Sequence, residues 1–146
     1  MTPYLTYRKT DLYLEDVSLA SLAGRFGTPL YAYSRSELID RYQGLTEPDG
    51  KGRVIVCYSV KANSNLAILR TFHDLGSGFD VTSAGELFLA LKAAQLESGN
   101  ARCALVFSGA GKTKSEIEYA LKSGVLMINA ESEAEIEVIE KTAASI

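Results

Sequence analysis

From residue 54 onward, short apolar runs alternate with longer stretches whose apolar residues recur every three or four positions. The runs at 54–60, 79–82, 105–107 and 125–129 are nearly continuous in apolar character, which predicts short strands of the kind buried in parallel sheets. Each is followed by a stretch that predicts a helix: 65–75, 83–94, 113–123, and 132 to the last residue. Three of these helices open with Ser/Thr-x-x-Glu, namely Ser83 with Glu86, Thr113 with Glu116 and Ser132 with Glu135. In such a box the hydroxyl accepts from an otherwise unpaired helix N–H while the glutamate reaches back to the cap. Gly76, Gly99 and Gly124 fall where helices or their loops close. Four alternations of strand and helix predict an α/β architecture, either a barrel or a doubly wound sheet.

The region before residue 54 is less regular. Tyr4, Leu5 and Tyr7 alternate, and Leu12, Tyr13 and Leu14 do so more loosely. A short helix over 19–26 is expected, with Ser18 as its cap and Gly27-Thr28-Pro29 as its stop. Leu30-Tyr31-Ala32-Tyr33 reads as a strand. Ser34 and Glu37 then form a capping box for a helix to about residue 45, and 47–52 is a polar loop.

Composition narrows the function classes. Apolar residues make up 47% and charged residues 23%, ordinary values for a globular protein. A net charge of −3 and the absence of any basic stretch argue against a nucleic-acid partner. No apolar run approaches the roughly 20 residues that span a bilayer. The opening MTPYLTYRKT lacks the apolar core of a signal peptide, so a cytoplasmic location and no membrane partner are the default expectations. Cys57 and Cys103 match no metal spacing and are expected as buried free thiols. With His73 the one histidine, no metal site is expected.

The candidate chemistry lies in Val54-Ile55-Val56-Cys57-Tyr58-Ser59-Val60-Lys61-Ala62-Asn63-Ser64-Asn65. Alternation along a strand puts Lys61 on one face with Ser59, Cys57 and Ile55, and Tyr58 and Val60 on the other, where helices would pack. Active sites of (β/α)8 barrels lie at the C-terminal ends of the strands, where Lys61 falls. A desolvated lysine gives up its charge more readily, and the neutral amine can attack a carbonyl carbon. Small Ser59 beside it would leave room for a flat ring. By itself this is a weak signal, because a lysine after a strand is more often a solvated loop residue.

Five ordered blocks make the signal specific. YSVKANSN resembles the YxVKAN segment of the barrel-type decarboxylases that use pyridoxal 5′-phosphate (PLP), a family that includes the diaminopimelate, ornithine and arginine decarboxylases. Gly78–Leu87 resembles the family's GFDVxSxGEL, and Gly27–Tyr33 its GTPLYVY opening. Val106–Thr113 resembles the FSGxGKT, and Ile128–Glu133 the NxESE, of many bacterial diaminopimelate decarboxylases. The resemblance covers residues from about 27 to 140 and implies a fold, a cofactor and a reaction. The fold would be the first four βα units of a TIM-type (β/α)8 barrel over 34–146, preceded by an N-terminal segment, 1–33, that belongs to a β-domain. Lys61 would be the Schiff-base lysine, with Ser59, Asp80 and Glu86 near the PLP. Glu86 also serves as a capping residue, and Asp80 could equally be a strand-end carboxylate with a structural hydrogen bond. The reaction implied is decarboxylation of meso-2,6-diaminopimelate to L-lysine and CO2, by an enzyme that is a homodimer when complete.

Two other readings compete. Gly109-Ala110-Gly111-Lys112-Thr113 sits between strand and helix like a phosphate loop, but G-x-x-x-x-G-K-S/T needs glycine where Val106 stands. A degenerate P-loop nucleotide-binding domain is one alternative, and a non-catalytic PLP-binding protein is the other. Lys112, Glu116 and Tyr119 lie on helical spacing and are expected as a helix face; His73 is expected at a surface boundary. A closed eight-unit barrel takes about 250 residues. Four units are half that count, so this polypeptide by itself is expected to be inactive as a decarboxylase.

Overall fold

The computed structural model describes residues 3–46, 54–95 and 103–146. The polar loop expected at 47–52 and Gly99 lie outside the described residues. The chain divides into two compact units, Met1–Gly44 and Leu45–Ile146.

The first unit begins with an antiparallel meander of β1 (Leu5–Arg8), β2 (Asp11–Leu14) and β3 (Val17–Ser18). Leu5 pairs with Leu14 and Tyr7 with Leu12, so the alternation seen in the sequence lies on one ladder. Two-residue turns join the strands, and the twist of a hairpin calls for positive φ in such turns. Lys9 (φ 58°) and Glu15 (φ 54°) supply it without glycine. Helix α1 (Leu19–Phe26) is capped by the Ser18 hydroxyl, which accepts from the Ser21 N–H. Gly27 ends it at φ 82°, donating to the Ala23 carbonyl.

Helix α2 (Arg35–Thr46) starts in this unit. Its cap differs from the expected box. Ser34 Oγ accepts from the Glu37 N–H (3.0 Å), but the carboxylate that completes the cap is Glu15, from the β2–β3 turn. Glu15 Oε1 accepts from Ser34 Oγ (2.5 Å) and from the Ser36 N–H (3.0 Å). Glu37 pairs instead with Arg41 one turn on. Residues 30–33 are not a strand: they have no ladder partner among the described residues, and Tyr31 is 89% exposed.

The second unit is a four-stranded parallel sheet in the order β4 (Cys57–Ser59), β5 (Gly78–Val81), β6 (Leu105–Phe107), β7 (Met127–Ile128). Helices α3 (Leu66–Asp74), α4 (Ala84–Gln95), α5 (Lys114–Lys122) and α6 (Glu133–Ala143) alternate with the strands. The α/β alternation predicted from periodicity is therefore present: β6 coincides with its apolar run, β5 starts one residue earlier than its run, and β4 and β7 are shorter than theirs. Val54 and Ile55, expected within a strand, precede β4 and are exposed. Each helix packs on the next, α3 on α4, α4 on α5 and α5 on α6, which places them along one face of the sheet. Phe79, Val81, Leu105 and Phe107 are buried toward that face, with Leu69, Leu87, Ala90, Ile117 and Ala120 from the helices. The intervening residues Asp80 and Val106 point to the opposite face and are half-buried. Among the described residues no helix is long and apolar enough to cross a membrane.

Gly78 is required by close approach. A Cβ there would lie 2.5 Å from the Ala104 carbonyl oxygen and 2.7 Å from Cys57 Sγ. Gly78→Ala should therefore destabilise the fold by about 1–3 kcal/mol, the usual cost of forcing a methyl into a packed site. A denaturant midpoint equal to that of the wild type would show that the contacts of Gly78 with Ala104 and Cys57 are looser than these distances imply.

Candidate active site

The segment that carries Lys61 is built by its neighbours. Tyr58, on the helix face of β4, stacks on Phe72 of α3 with ring centroids 4.2 Å apart and planes 16° from parallel. Its hydroxyl donates to the Asn63 carbonyl (3.3 Å), pulling the chain after the strand back toward the sheet. Asn63 Oδ1 accepts from the Asn65 N–H (3.0 Å), and Asn65 Oδ1 accepts from the Ala67 N–H (2.9 Å) as the cap of α3. Between them Val60–Ala62 forms one turn of 3-10 helix, with Val60 fully buried as its anchor. Strand alternation thus stops at Ser59, and the turn, not the strand, places Lys61. The Lys61 side chain is exposed and takes no hydrogen-bond or ion-pair partner among the described residues.

Across the C-terminal ends of the four strands runs one row of polar side chains. The register sets Ser59 level with Asp80. Ser59 Oγ donates to Asp80 Oδ2 (3.3 Å) and Ser108 Oγ donates to Asp80 Oδ1 (2.5 Å). Asn129 Nδ2 donates to Ser108 Oγ (3.0 Å). Each parallel strand, or the residue just after it, contributes one member. The row lies on the face away from the helices, so the Asp80 carboxylate is held from both sides. Cys57 shares this face; burial, and then the Asp80 charge, push its thiol above the ordinary value and keep it protonated. Both cysteines are free, and burial pushes Cys103 up to about 11.

Of the residues singled out from sequence, the structure brings Ser59 and Asp80 into contact and sets Lys61 in the adjoining turn. Glu86 is engaged elsewhere: its Oε2 accepts from the Thr82 N–H (2.8 Å) and hydroxyl (3.1 Å), while its own N–H donates to Ser83 Oγ (3.2 Å). The expected capping box at Ser83 is thus shifted by one residue toward the strand. Ser108 and Asn129 were not singled out. The available signal was their position, each a polar residue directly after a predicted apolar strand and inside a matched block.

The expected helix face of Lys112, Glu116 and Tyr119 is corrected as well. Lys112 precedes α5 and its side chain is only 1% exposed. Its ammonium donates to the Gly109 carbonyl (2.5 Å), the Asn129 carbonyl (2.7 Å) and the Glu135 carboxylate (3.3 Å). An ammonium with its donors engaged in this way is not presented to a phosphate, which removes the P-loop reading. Glu116 completes the Thr113 capping box and also accepts from the Ala84 N–H (3.2 Å), tying the start of α5 to the start of α4. The Thr113 backbone and hydroxyl hydrogen bonds, then that from Ala84, hold its carboxyl below the usual 4.5. Glu135 is lowered too, chiefly by the Glu131 N–H and then by Lys112.

Residues 36–146 match the family described as pyridoxal-dependent decarboxylase, pyridoxal binding domain. The diaminopimelate decarboxylase of Neisseria meningitidis serogroup A is 44% identical over 135 residues, covering 92% of this chain and 32% of that protein. A crystal structure from Aquifex aeolicus superposes with a TM-score of 0.87 at 39% identity, over 98% of this chain and 34% of that one. The diaminopimelate decarboxylase of M. jannaschii, solved in complex with L-lysine, superposes with a TM-score of 0.84 at 31% identity, over 98% of this chain and 33% of that one. The chain spans about a third of the length of the relatives it matches.

Glu116 and Glu135 bind a proton less tightly in the fold than in the unfolded chain. The stability they contribute is present above the unfolded value near 4.5 and is lost as pH falls through their lowered folded values. Melting temperature should therefore fall on acidification below about 4.5. Glu116→Gln should melt lower at neutral pH and lose less on acidification. Parallel wild-type and variant curves across that window would exclude Glu116 as a source of the acid sensitivity.

Proposed function

The chain belongs to the pyridoxal-dependent decarboxylases, matching their pyridoxal-binding domain, and from that premise we propose that it carries the cofactor-holding part of a meso-2,6-diaminopimelate decarboxylase. The observation that carries the proposal is an exposed amine, Lys61, without a partner among the described residues, in the turn that follows β4, whose Ser59 hydroxyl with that of Ser108 braces the Asp80 carboxylate. The donor set fits PLP. An aldehyde requires a primary amine that no carboxylate has claimed, and among the described residues none pairs with Lys61. Small Ser59 at the adjacent strand position leaves space for a ring. When bound, PLP supplies the electron sink that accepts the electron pair left behind by CO2.

The chain's own residues then have distinct tasks. Lys61 holds the cofactor, and the buried Val60 anchor with the Tyr58–Asn63 hydrogen bond keeps its backbone still while its side chain moves. Asp80 faces the cofactor with its orientation set by Ser59 and Ser108. Glu86 acts one step back, fixing Thr82 at the end of β5. The fold implied is the first half of a (β/α)8 barrel over residues 34–146. Helices along one face support it, since a doubly wound sheet carries them on both. Residues 1–33 are assigned to a β-domain, in keeping with the meander of β1, β2 and β3. Diaminopimelate as substrate is supported by the names of the relatives and by the L-lysine, its decarboxylation product, in the M. jannaschii structure. The complete enzyme is proposed to be a homodimer.

Incubation with PLP, borohydride reduction and peptide mapping test this. A single pyridoxyl adduct on Lys61, absent in Lys61→Ala, is expected. Label spread over many lysines and unchanged in Lys61→Ala would show that no organised cofactor site exists here.

A further inference from the structure

Lys112 is left unexplained by the cofactor-holding reading. It lies in the loop after β6, and its side chain is more deeply buried than that of any other charged residue in the ion pairs described. A buried ammonium is costly unless its donors are used. Here three N–H bonds meet three acceptors: the Gly109 carbonyl in its own loop, the Asn129 carbonyl after β7, and the Glu135 carboxylate on the first turn of α6. Glu135 is itself fixed, accepting from the Glu131 N–H at 2.7 Å, and its side chain is 9% exposed. The Phe107 ring, fully buried, lies 6.0 Å from the ammonium.

The position of these acceptors gives the clasp its meaning. Gly109 follows Ser108, and Asn129 carries the amide that donates to Ser108. Both ends of the Asn129–Ser108 hydrogen bond are therefore gripped by one ammonium, and Ser108 passes that constraint to Asp80 at 2.5 Å. We propose that Lys112, backed by Glu135, is a positioning residue: it clasps the loops after β6 and β7 so that Ser108 and Asn129 hold the Asp80 carboxylate in place beside Lys61. The inference rests on the reading of that face as the cofactor site. Stability alone is a poor reason for such a pair, because an apolar substitute of similar volume is often as stable. What an apolar residue cannot do is fix two carbonyls from two loops at once.

Two readouts test it. Lys112→Met keeps the stem and removes the donors; Ser108→Ala removes the link to Asp80. In the wild type the Asn129 side-chain amide proton that donates to Ser108 should be shifted downfield and slowed in exchange with water, and in folded Lys112→Met both the shift and the slowing should diminish. Capture of PLP at Lys61, followed by borohydride trapping, should slow roughly tenfold in Lys112→Met, a modest loss on the scale of misplaced reacting groups. Ser108→Ala should slow it similarly, and the double variant should be no slower than the worse single one. Should Lys112→Met not fold, Glu135→Gln is read in the same way and should move the Asn129 signals in the same direction. A lowered melting temperature with Asn129 signals and capture rate at wild-type values would overturn the proposal, and so would additive losses in the double variant. No capture at Lys61 in the wild type would instead defeat the cofactor-site reading, and the Asn129 signals would still decide the clasp.

Discussion

A carboxylate on the face of a parallel sheet, pointing away from the helices that cover the other side, has to be held by its strand neighbours. Asp80 meets that demand through register. Because Ser59 pairs level with Asp80, and Val81 with Phe107, the hydroxyls of Ser59 and of Ser108, the residue after Phe107, fall on either side of the carboxylate. A slip of one residue in β5 would exchange its faces, sending Asp80 into the core that Phe79 and Val81 now fill. The hydrophobic packing of Phe79, Val81, Leu105 and Phe107 therefore fixes the polar row as firmly as it fixes the core. Site and core are two faces of one register.

The same logic explains the lysine segment. A strand continued through residue 61 would leave the lysine on a rigid pleat. Instead the chain breaks into a 3-10 turn after Ser59, buries Val60, and is tied back by the Tyr58 hydroxyl and two asparagine side chains. Tyr58, Asn63 and Asn65 spend their polar atoms on the backbone of the segment, and Ser59 spends its hydroxyl on Asp80. Lys61 takes no hydrogen-bond or ion-pair partner among the described residues, so the turn fixes its backbone and leaves its amine exposed.

Much of this was legible in the sequence, and the failures share a cause. Periodicity gave the βα alternation, and Ser/Thr-x-x-Glu marked three helix starts, because both depend on contacts within a few residues. Thr113 and Glu116 form the full box as expected. Residues 30–33 have the composition of a strand and lack a partner among the described residues; pairing is a property of two segments, and composition reports on one. At Ser34 the local pattern named Glu37, while Glu15, far back in the chain, supplies the carboxylate. Ser59 and Asp80 could be placed on one face by counting, yet Ser108 and Asn129 join them only through tertiary registration. Glu86 could be counted too, but its hydrogen bonds to Thr82 turn it toward the backbone.

The stretch Gly109–Thr113 shows where local reading reaches its limit. Glycines, a lysine and a threonine between a strand and a helix N-terminus describe a turn equally well whether the lysine swings out toward an anion or folds inward. Charge favours the first and desolvation penalises the second, so sequence alone leans toward the anion. The inward arrangement wins only because three acceptors converge at one point: two carbonyls at the ends of neighbouring strands and a carboxylate on the following helix. Two of the three, the Asn129 carbonyl and the Glu135 carboxylate, lie outside the stretch and are not signalled by it. Such convergence exists once β6 and β7 are paired, for their registration brings the Gly109 and Asn129 carbonyls within reach of one ammonium. The lysine thus reports on strand pairing, and its burial follows from the sheet in the same way that the polar row does.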